Sequence, residues 1–242
     1  MAKSMTSVSV IIPTRNRPQF LKTAVNSVVA QSHAAREIII VDDGEGASET
    51  VRGMSGVMQL IGNHRRGPVA ARNLGIATAT SDVIAFLDDD DWWTDNTYLG
   101  KAAEHIEAGA DLCFGDGAMV FADGRPTLPF AFAADAQSLM RDNTILISAV
   151  SYRRSLHAIL GHFDQSLPFY WDWDWYLRVA RSGARLVHHE EQVVAIRVHA
   201  ENMSRAESGR ERRSNLDAFA KKHGLPPLIL KNHSSLLEGG LS

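Results

Sequence analysis

Residues 83–93 read VIAFLDDDDWW. An unbroken apolar run with no polar alternation marks a strand buried on both faces. From Leu87 the chain turns into four consecutive aspartates, Asp88 to Asp91, so this strand leaves the core at a sharply acidic edge. The pattern recurs upstream. Val8 to Ile12 (VSVII) is ended by Pro13, and Glu37 to Val41 (EIIIV) is closed by Asp42-Asp43-Gly44. Gln59 to Ile61 is a short third candidate strand. Between them, Arg17-Pro18 opens a helical stretch to about Gln31, with Pro18 near its first turn. Leu21, Ala24, Val25, Val28 and Val29 recur there at helical spacing, and Val69 to Ala79 reads as a second helix.

Buried strands alternating with amphipathic helices imply right-handed crossovers and a parallel sheet covered on both faces. The expected fold is therefore α/β: a Rossmann-like, doubly wound mixed sheet forming one domain over residues 1–242. Residues 7–110 would be its nucleotide-binding half. After that the alternation loosens. Asp111 to Phe121, Thr144 to Tyr152 and Val193 to Val198 read as further strands, and Asp172 to Arg181 as a helix. Residues 111–204 would form the second half. Residues 205–242 would form a C-terminal helix and tail, with Ala206 to His223 a charged helix stopped by Gly224 and Pro226.

Composition excludes several classes. The 242 residues are 45% apolar and 22% charged, ordinary for a globular chain. Lys plus Arg is 25 and Asp plus Glu is 28, a net charge of −3, so no basic field points to a nucleic-acid partner. The single cysteine, Cys113, allows neither an internal disulfide nor a cysteine zinc site, and a reducing cytoplasm is the expected location. No stretch approaches the roughly 18 apolar residues of a membrane span, and MAKSMTSVSVIIPT does not read as a signal peptide. A peripheral membrane contact is left open, as is the oligomeric state.

In open parallel sheets, ligands sit beyond the carboxyl ends of the strands. Thr14-Arg15-Asn16, Asp42-Asp43 and Asp88 to Asp91 all fall at such ends. Acids crowded together raise one another's pKa, and a divalent cation removes that cost. Oxygen-only donors favour Mg²⁺ or Mn²⁺ shared with substrate phosphates. A solvated acidic loop that caps the next helix is the alternative. Arg72, just inside a helix that starts after Gly67-Pro68, is a candidate phosphate or base contact, or simply a solvated helix residue. Residues 169–176 (FYWDWDWY) set Asp172 among Trp171, Trp173 and Trp175. Aromatics beside a carboxylate suit sugar binding; core packing with an Asp174–Arg178 ion pair competes with that reading. His199 follows a strand and could ligate a metal. His188 and His189 cannot share one metal, since neighbours on a strand face opposite ways.

VSVIIPTRNRPQFLKTAVNSVVAQ (8–31), EIIIVDDG (37–44) and GPVAARNLGIATATSDVIAFLDDDDWW (67–93) together resemble the family 2 glycosyltransferases, inverting enzymes of GT-A fold that use nucleotide-diphospho-sugars. The resemblance spans residues 7 to about 200. It implies that Pro13, Thr14, Asn16, Asp42, Asp43, Arg72, Asp88 and Asp89 bind the nucleotide of a UDP-sugar. It further implies that Asp90, with His199, holds Mn²⁺ or Mg²⁺, and that Asp172 is the catalytic base. Trp171, Trp173 and Asp91 would face sugar or acceptor, with residues 123–143 helping to shape the acceptor end. The acceptor class stays open among carbohydrate, lipid-linked and small-molecule alcohols. Glu45 stands where the family has serine, and Trp171 where it has glutamate.

Three other functions fit parts of the pattern. A nucleotidyltransferase would need a glycine-rich loop after the first strand, where this chain has PTRNRP. A noncatalytic nucleotide-sugar-binding module would not need both Asp90 and Asp172. An Asp-cluster metal-dependent phosphate-ester hydrolase would release phosphate without an acceptor.

Overall fold

The computed structural model describes residues 6–56, 58–199, 209–231 and 236–237. In chain order the elements are β1 (Val8–Thr14), α1 (Pro18–Val29), β2 (Glu37–Asp42), α2 (Ala47–Val51), β3 (Met58–Gly62), α3 (Pro68–Thr78), β4 (Val83–Phe86), β5 (Trp92–Trp93) and α4 (Tyr98–Glu107). They continue with β6 (Leu112–Phe121), β7 (Leu128–Phe130), β8 (Val150–Arg153), α5 (Leu156–Leu160), α6 (Trp171–Arg181), β9 (Leu186–Val198) and α7 (Gly209–His223).

One mixed sheet carries every described strand, in the order β3-β2-β1-β4-β8-β6-β9-β5, with β7 added to β6. β3, β2, β1 and β4 run parallel, as the sequence implied. β8 runs antiparallel to β4 and β6, and β6 and β9 are again parallel. Side chains alternate across the sheet, and both sides are covered. Val10, Ile12, Ile38 and Ile40 join Leu21, Val25 and Leu99 in one core layer. Ile11, Ile39, Ile84 and Phe86 join Ile76, Trp175 and Phe219 in the other. That two-sided burial is why these strands read as continuous apolar runs.

Several expectations need correction. The strand expected over Thr144 to Tyr152 begins only at Val150; Ile147–Ala149 is a 3-10 turn instead. That turn places the Ser148 hydroxyl against the Asp91 carboxylate at 2.6 Å, a tertiary demand invisible in ILISAV. β9 starts at Leu186, seven residues before the expected Val193, because its polar start is held by the long ladder to β6. Val29, assigned to the apolar stripe of α1, is 40% exposed. Helix α4 was not anticipated, although Tyr98, Leu99, Ala102, Ala103 and Ile106 bury one face. The expected helix start at Ala206, the division at 204/205 and the tail over 238–242 lie outside the described residues.

Close approach of α3 to β1 depends on one glycine. A Cβ added at Gly75 would lie 2.5 Å from Ile11 Cγ2, inside the core. Alanine gains up to about 1 kcal/mol of helix propensity, but overpacking costs about 1–3 kcal/mol. Gly75→Ala should therefore lower the unfolding free energy by about 1–2 kcal/mol in a urea titration; an unchanged or raised midpoint would show that Ile11 yields freely.

Candidate active site

Because β1, β2 and β4 are parallel neighbours, their carboxyl ends meet on one edge of the sheet. The loops that follow them converge there on a cavity of about 480 Å³. Pro13, Thr14, Asp43, Arg72, Asp88 to Asp91, Trp171, Asp172 and Trp173 all line it. The structure thus brings together most of the residues singled out in the sequence.

The acidic run is held from every side. Thr14 Oγ1 donates to Asp89 Oδ2 at 2.7 Å. Arg17 Nη1 lies 3.3 Å from Asp89 Oδ1 and 2.9 Å from Asp90 Oδ2. His199 Nε2 sits 3.0 Å from the same Asp90 oxygen. The Arg197 backbone N–H donates to Asp91 Oδ1 at 3.0 Å, and its Nε donates to the Asp90 carbonyl at 3.1 Å. Ser148 Oγ accepts from the Asp88 N–H at 3.0 Å.

Burial, then the neighbouring charge of Asp90, pushes the Asp89 carboxyl up to about 6. Burial, with Asp90 and Asp88 beside it, drives Asp91 well above the carboxylate range. Burial also raises Asp88, partly offset by Arg72. Carboxylate oxygens of Asp88, Asp90 and Asp91 lie within 4.8 Å of one another. An oxygen-only donor set under mutual repulsion suits Mg²⁺ or Mn²⁺, so these residues fit the cation that the family resemblance implies. A second trio, Asp95, His189 and Glu191, is different: the Lys101 ammonium already bridges Asp95, at 3.1 Å, and Glu191. His188 turns instead to Asp116, at 2.6 Å, so the two histidines do face apart.

Asp172 stands in the first turn of α6, on another wall of the cavity. Its Oδ1 accepts from the Trp173 N–H at 2.8 Å, and its Oδ2 from Asn143 Nδ2 at 2.9 Å. Burial pushes this carboxyl up to about 6, against the pull of those two hydrogen bonds and the Arg72 charge. A group poised near 6 is a stronger proton acceptor than an ordinary aspartate, yet is still ionised at neutral pH. Arg72 spans the two walls: it is buried, ion-paired to Asp88, and its guanidinium lies 4.5 Å over the Trp171 ring. Two residues past Asp172, buried Asp174 binds Arg178 at 2.9 Å, Lys222 at 2.6 Å and His223 at 2.8 Å, fastening α6 to α7.

Other expected residues sit less directly. Asp43 lines the cavity, but its carboxylate holds the loop before α3, accepting from Asn63 Nδ2 at 2.6 Å and from the Gly67 N–H at 3.1 Å. Asn16 and Asp42 line a small adjoining cleft rather than the cavity. Asn16 accepts from the Glu45 N–H at 2.9 Å, and Asp42 caps the turn into α2 through the Gly44 N–H at 2.8 Å and the Ala47 N–H at 3.2 Å. Trp173 is 5% exposed; its Nε1 donates to the Leu139 carbonyl at 2.7 Å and its ring stacks on Phe219 at 4.5 Å. Of residues 123–143, only Asp142 and Asn143 reach the cavity. Sequence reasoning passed over Arg17, Asn143, Ser148 and Arg197. Arg17 and Arg197 adjoin motifs that were singled out; Asn143 and Ser148 carry no local signal.

Residues 9–149 match the sequence family described as glycosyl transferase family 2. The chain is 35% identical over 244 residues to the Bacillus subtilis protein named uncharacterized glycosyltransferase YwdF, covering 96% of this chain and 89% of that one. It is 28% identical to a Mycobacterium bovis PGL/p-HBAD biosynthesis glycosyltransferase, covering 77% of this chain and 75% of that one. Among solved structures, S. aureus TarS 1-349 in complex with UDP-GlcNAc superposes with a TM-score of 0.71 at 20% identity, covering 96% of this chain and 70% of that one. The Pyrobaculum calidifontis mannosyltransferase PcManGT, in complex with GDP-Man and Mn²⁺, gives 0.68 at 17% identity, covering 98% and 71%. The chain spans 42% of the longer TarS chain. These likenesses show the same GT-A type of mixed sheet.

Proposed function

Since the chain belongs to glycosyl transferase family 2, we propose that it moves a sugar, with inversion, from a UDP-sugar to an acceptor hydroxyl, and that Asp172 is the general base. The supporting observation is that one cavity is lined both by the acidic run and by half-buried Asp172. In-line displacement needs both in one cavity, because the attacking oxygen and the departing diphosphate occupy opposite faces of the same sugar.

Asp172 receives the proton of the acceptor hydroxyl as that oxygen bonds to the anomeric carbon and the sugar–phosphate bond breaks. Asn143 and the Trp173 N–H fix the carboxylate that takes the proton. Arg72 supplies positive charge between base and nucleotide, and Asp43 and Thr14 bound the base and ribose end. A Mg²⁺ or Mn²⁺ held by Asp90 with Asp88 and Asp91 would offset the charge gathering on the nucleoside diphosphate.

Incubation with UDP-sugars and Mn²⁺ should release UDP slowly, water standing in for the acceptor alcohol and taking the sugar, and no inorganic phosphate. Phosphate release would favour the ester-hydrolase reading, and release of neither would favour a noncatalytic binder. With Asp172 at about 6, kcat should rise with pH through a limb near 6, because below it the base already carries its proton. Asn143 holds the ionised form, so Asn143→Leu should move that limb up by about one pH unit, the equivalent of one hydrogen bond of about 1.4 kcal/mol. A pH–rate profile with no such displacement would remove Asn143 from the base's surroundings.

A further inference from the structure

Trp171 opens α6 one residue before Asp172 and is only 7% exposed, so its ring is fixed by packing. Two consecutive residues of α3 meet it there. Asn73 grips the backbone of Phe163: its Nδ2 donates to the Phe163 carbonyl at 2.9 Å, and its Oδ1 accepts from the Phe163 N–H at 3.1 Å. The Phe163 and Trp171 rings then meet edge-to-face, with centroids 4.8 Å apart. Arg72 lies over the Trp171 ring itself, its guanidinium carbon 4.5 Å from the ring centre.

Arg72 has few other holds. Its Nη2 pairs with Asp88 and its Nη1 donates to the Pro68 carbonyl at 3.2 Å, but its Nε is buried with no hydrogen-bond partner. The ring is the further support. A carboxylate at position 171 would add a second counter-charge beside Asp88. An indole ring holds a cation through its quadrupole and leaves the charge in force. That charge reaches both parts of the site. It pairs with Asp88, and it draws the Asp172 carboxyl down against the burial that raises it.

We infer that Trp171 is a positioning residue: its ring seats the Arg72 guanidinium between the nucleotide end and Asp172, so that one charge serves both. This rests on the proposed transfer reaction and adds a residue to it. The ring face under Arg72 is covered, which sets this role apart from stacking on a sugar.

The test is a double-mutant cycle read as UDP affinity, by calorimetry with Mn²⁺ present. Trp171→Leu keeps apolar packing but offers no π face. It should weaken UDP about 10–30-fold, the factor for a desolvated cation–π contact. Trp171→Phe keeps a smaller ring under the cation and should lose about threefold. In an Arg72→Gln background both substitutions should cost less than about twofold, because a residue that acts through another has nothing left to act on. Should Trp171→Leu fail to fold, the Trp171→Phe cycle decides alone. No loss with Arg72 present, or the same loss in both backgrounds, overturns the inference. If the native protein binds UDP and the cycle shows no coupling, only this inference falls. If the native protein does not bind UDP, the donor reading falls and the inference with it.

Discussion

Replacing Asp172 with asparagine should lower kcat by at least about 10²-fold while UDP binding is kept, since a general base typically supplies about 10²–10⁴-fold. The substitution is nearly isosteric. Its carbonyl can still accept the Trp173 N–H that now binds Oδ1 at 2.8 Å. Its amide would meet the Asn143 Nδ2 that now donates to Oδ2, and a flip of the Asn143 amide converts that donor–donor contact into a hydrogen bond. Folding and the nucleotide end should therefore survive, and the loss should appear in kcat. The acid limb near 6 should vanish from the residual activity. Turnover within a few-fold of the native protein would remove Asp172 from the base role.

Asp90→Ala should abolish the stimulation of donor binding by Mn²⁺. Loss of a partner that merely orients a metal ligand costs about 10–100-fold in affinity, so loss of a ligand itself should cost at least about 10². Asp90 Oδ2 is shared by Arg17 at 2.9 Å and His199 at 3.0 Å, and its charge helps to hold Asp89 and Asp91 above their ordinary range. Removing it relieves repulsion between like charges, so the variant should melt no earlier than the native protein. A calorimetric Mn²⁺ titration with UDP present reads the effect. An unchanged midpoint would take the metal away from Asp90.

The parallel half of the sheet was legible because β1, β2 and β4 are buried on both faces and almost wholly apolar, Ser9 and Glu37 being polar exceptions within the runs. VIAFL and EIIIV could be little else. Elements whose identity depends on neighbours were not. ILISAV looks like a strand, yet Ile147–Ala149 turns so that Ser148 can satisfy Asp91 and the Asp88 N–H. Helix α4 hides because alanines, at 102 and 103, supply much of its buried face. The polar start of β9 reads as loop, since His188 and His189 are placed by Asp116 and His105 rather than by propensity.

The site divides the same way. Acids at strand ends announce themselves by spacing alone. The groups that hydrogen-bond them arrive from far along the chain: Ser148 lies 57 residues from Asp91, and Arg197 lies 106 from it. Seven of the 28 acidic residues, Asp42, Asp43, Asp88 to Asp91 and Asp172, gather at or beside this one edge. The small net charge of −3 is thus an average over a concentrated acidic site and the rest of the chain's acids, which the 25 Lys and Arg residues outnumber.

The central claim, that this edge is a metal-assisted nucleotide-sugar site, is tested most directly by a thermal-shift screen of UDP and UDP-sugars with and without Mn²⁺. A ligand at 100 times its Kd adds about 2.7 kcal/mol, worth about 5–10 °C in a chain of this size. A rise of that order is expected with UDP nucleotides when Mn²⁺ is present and a much smaller one without it. No shift with any nucleotide under either condition would contradict the claim.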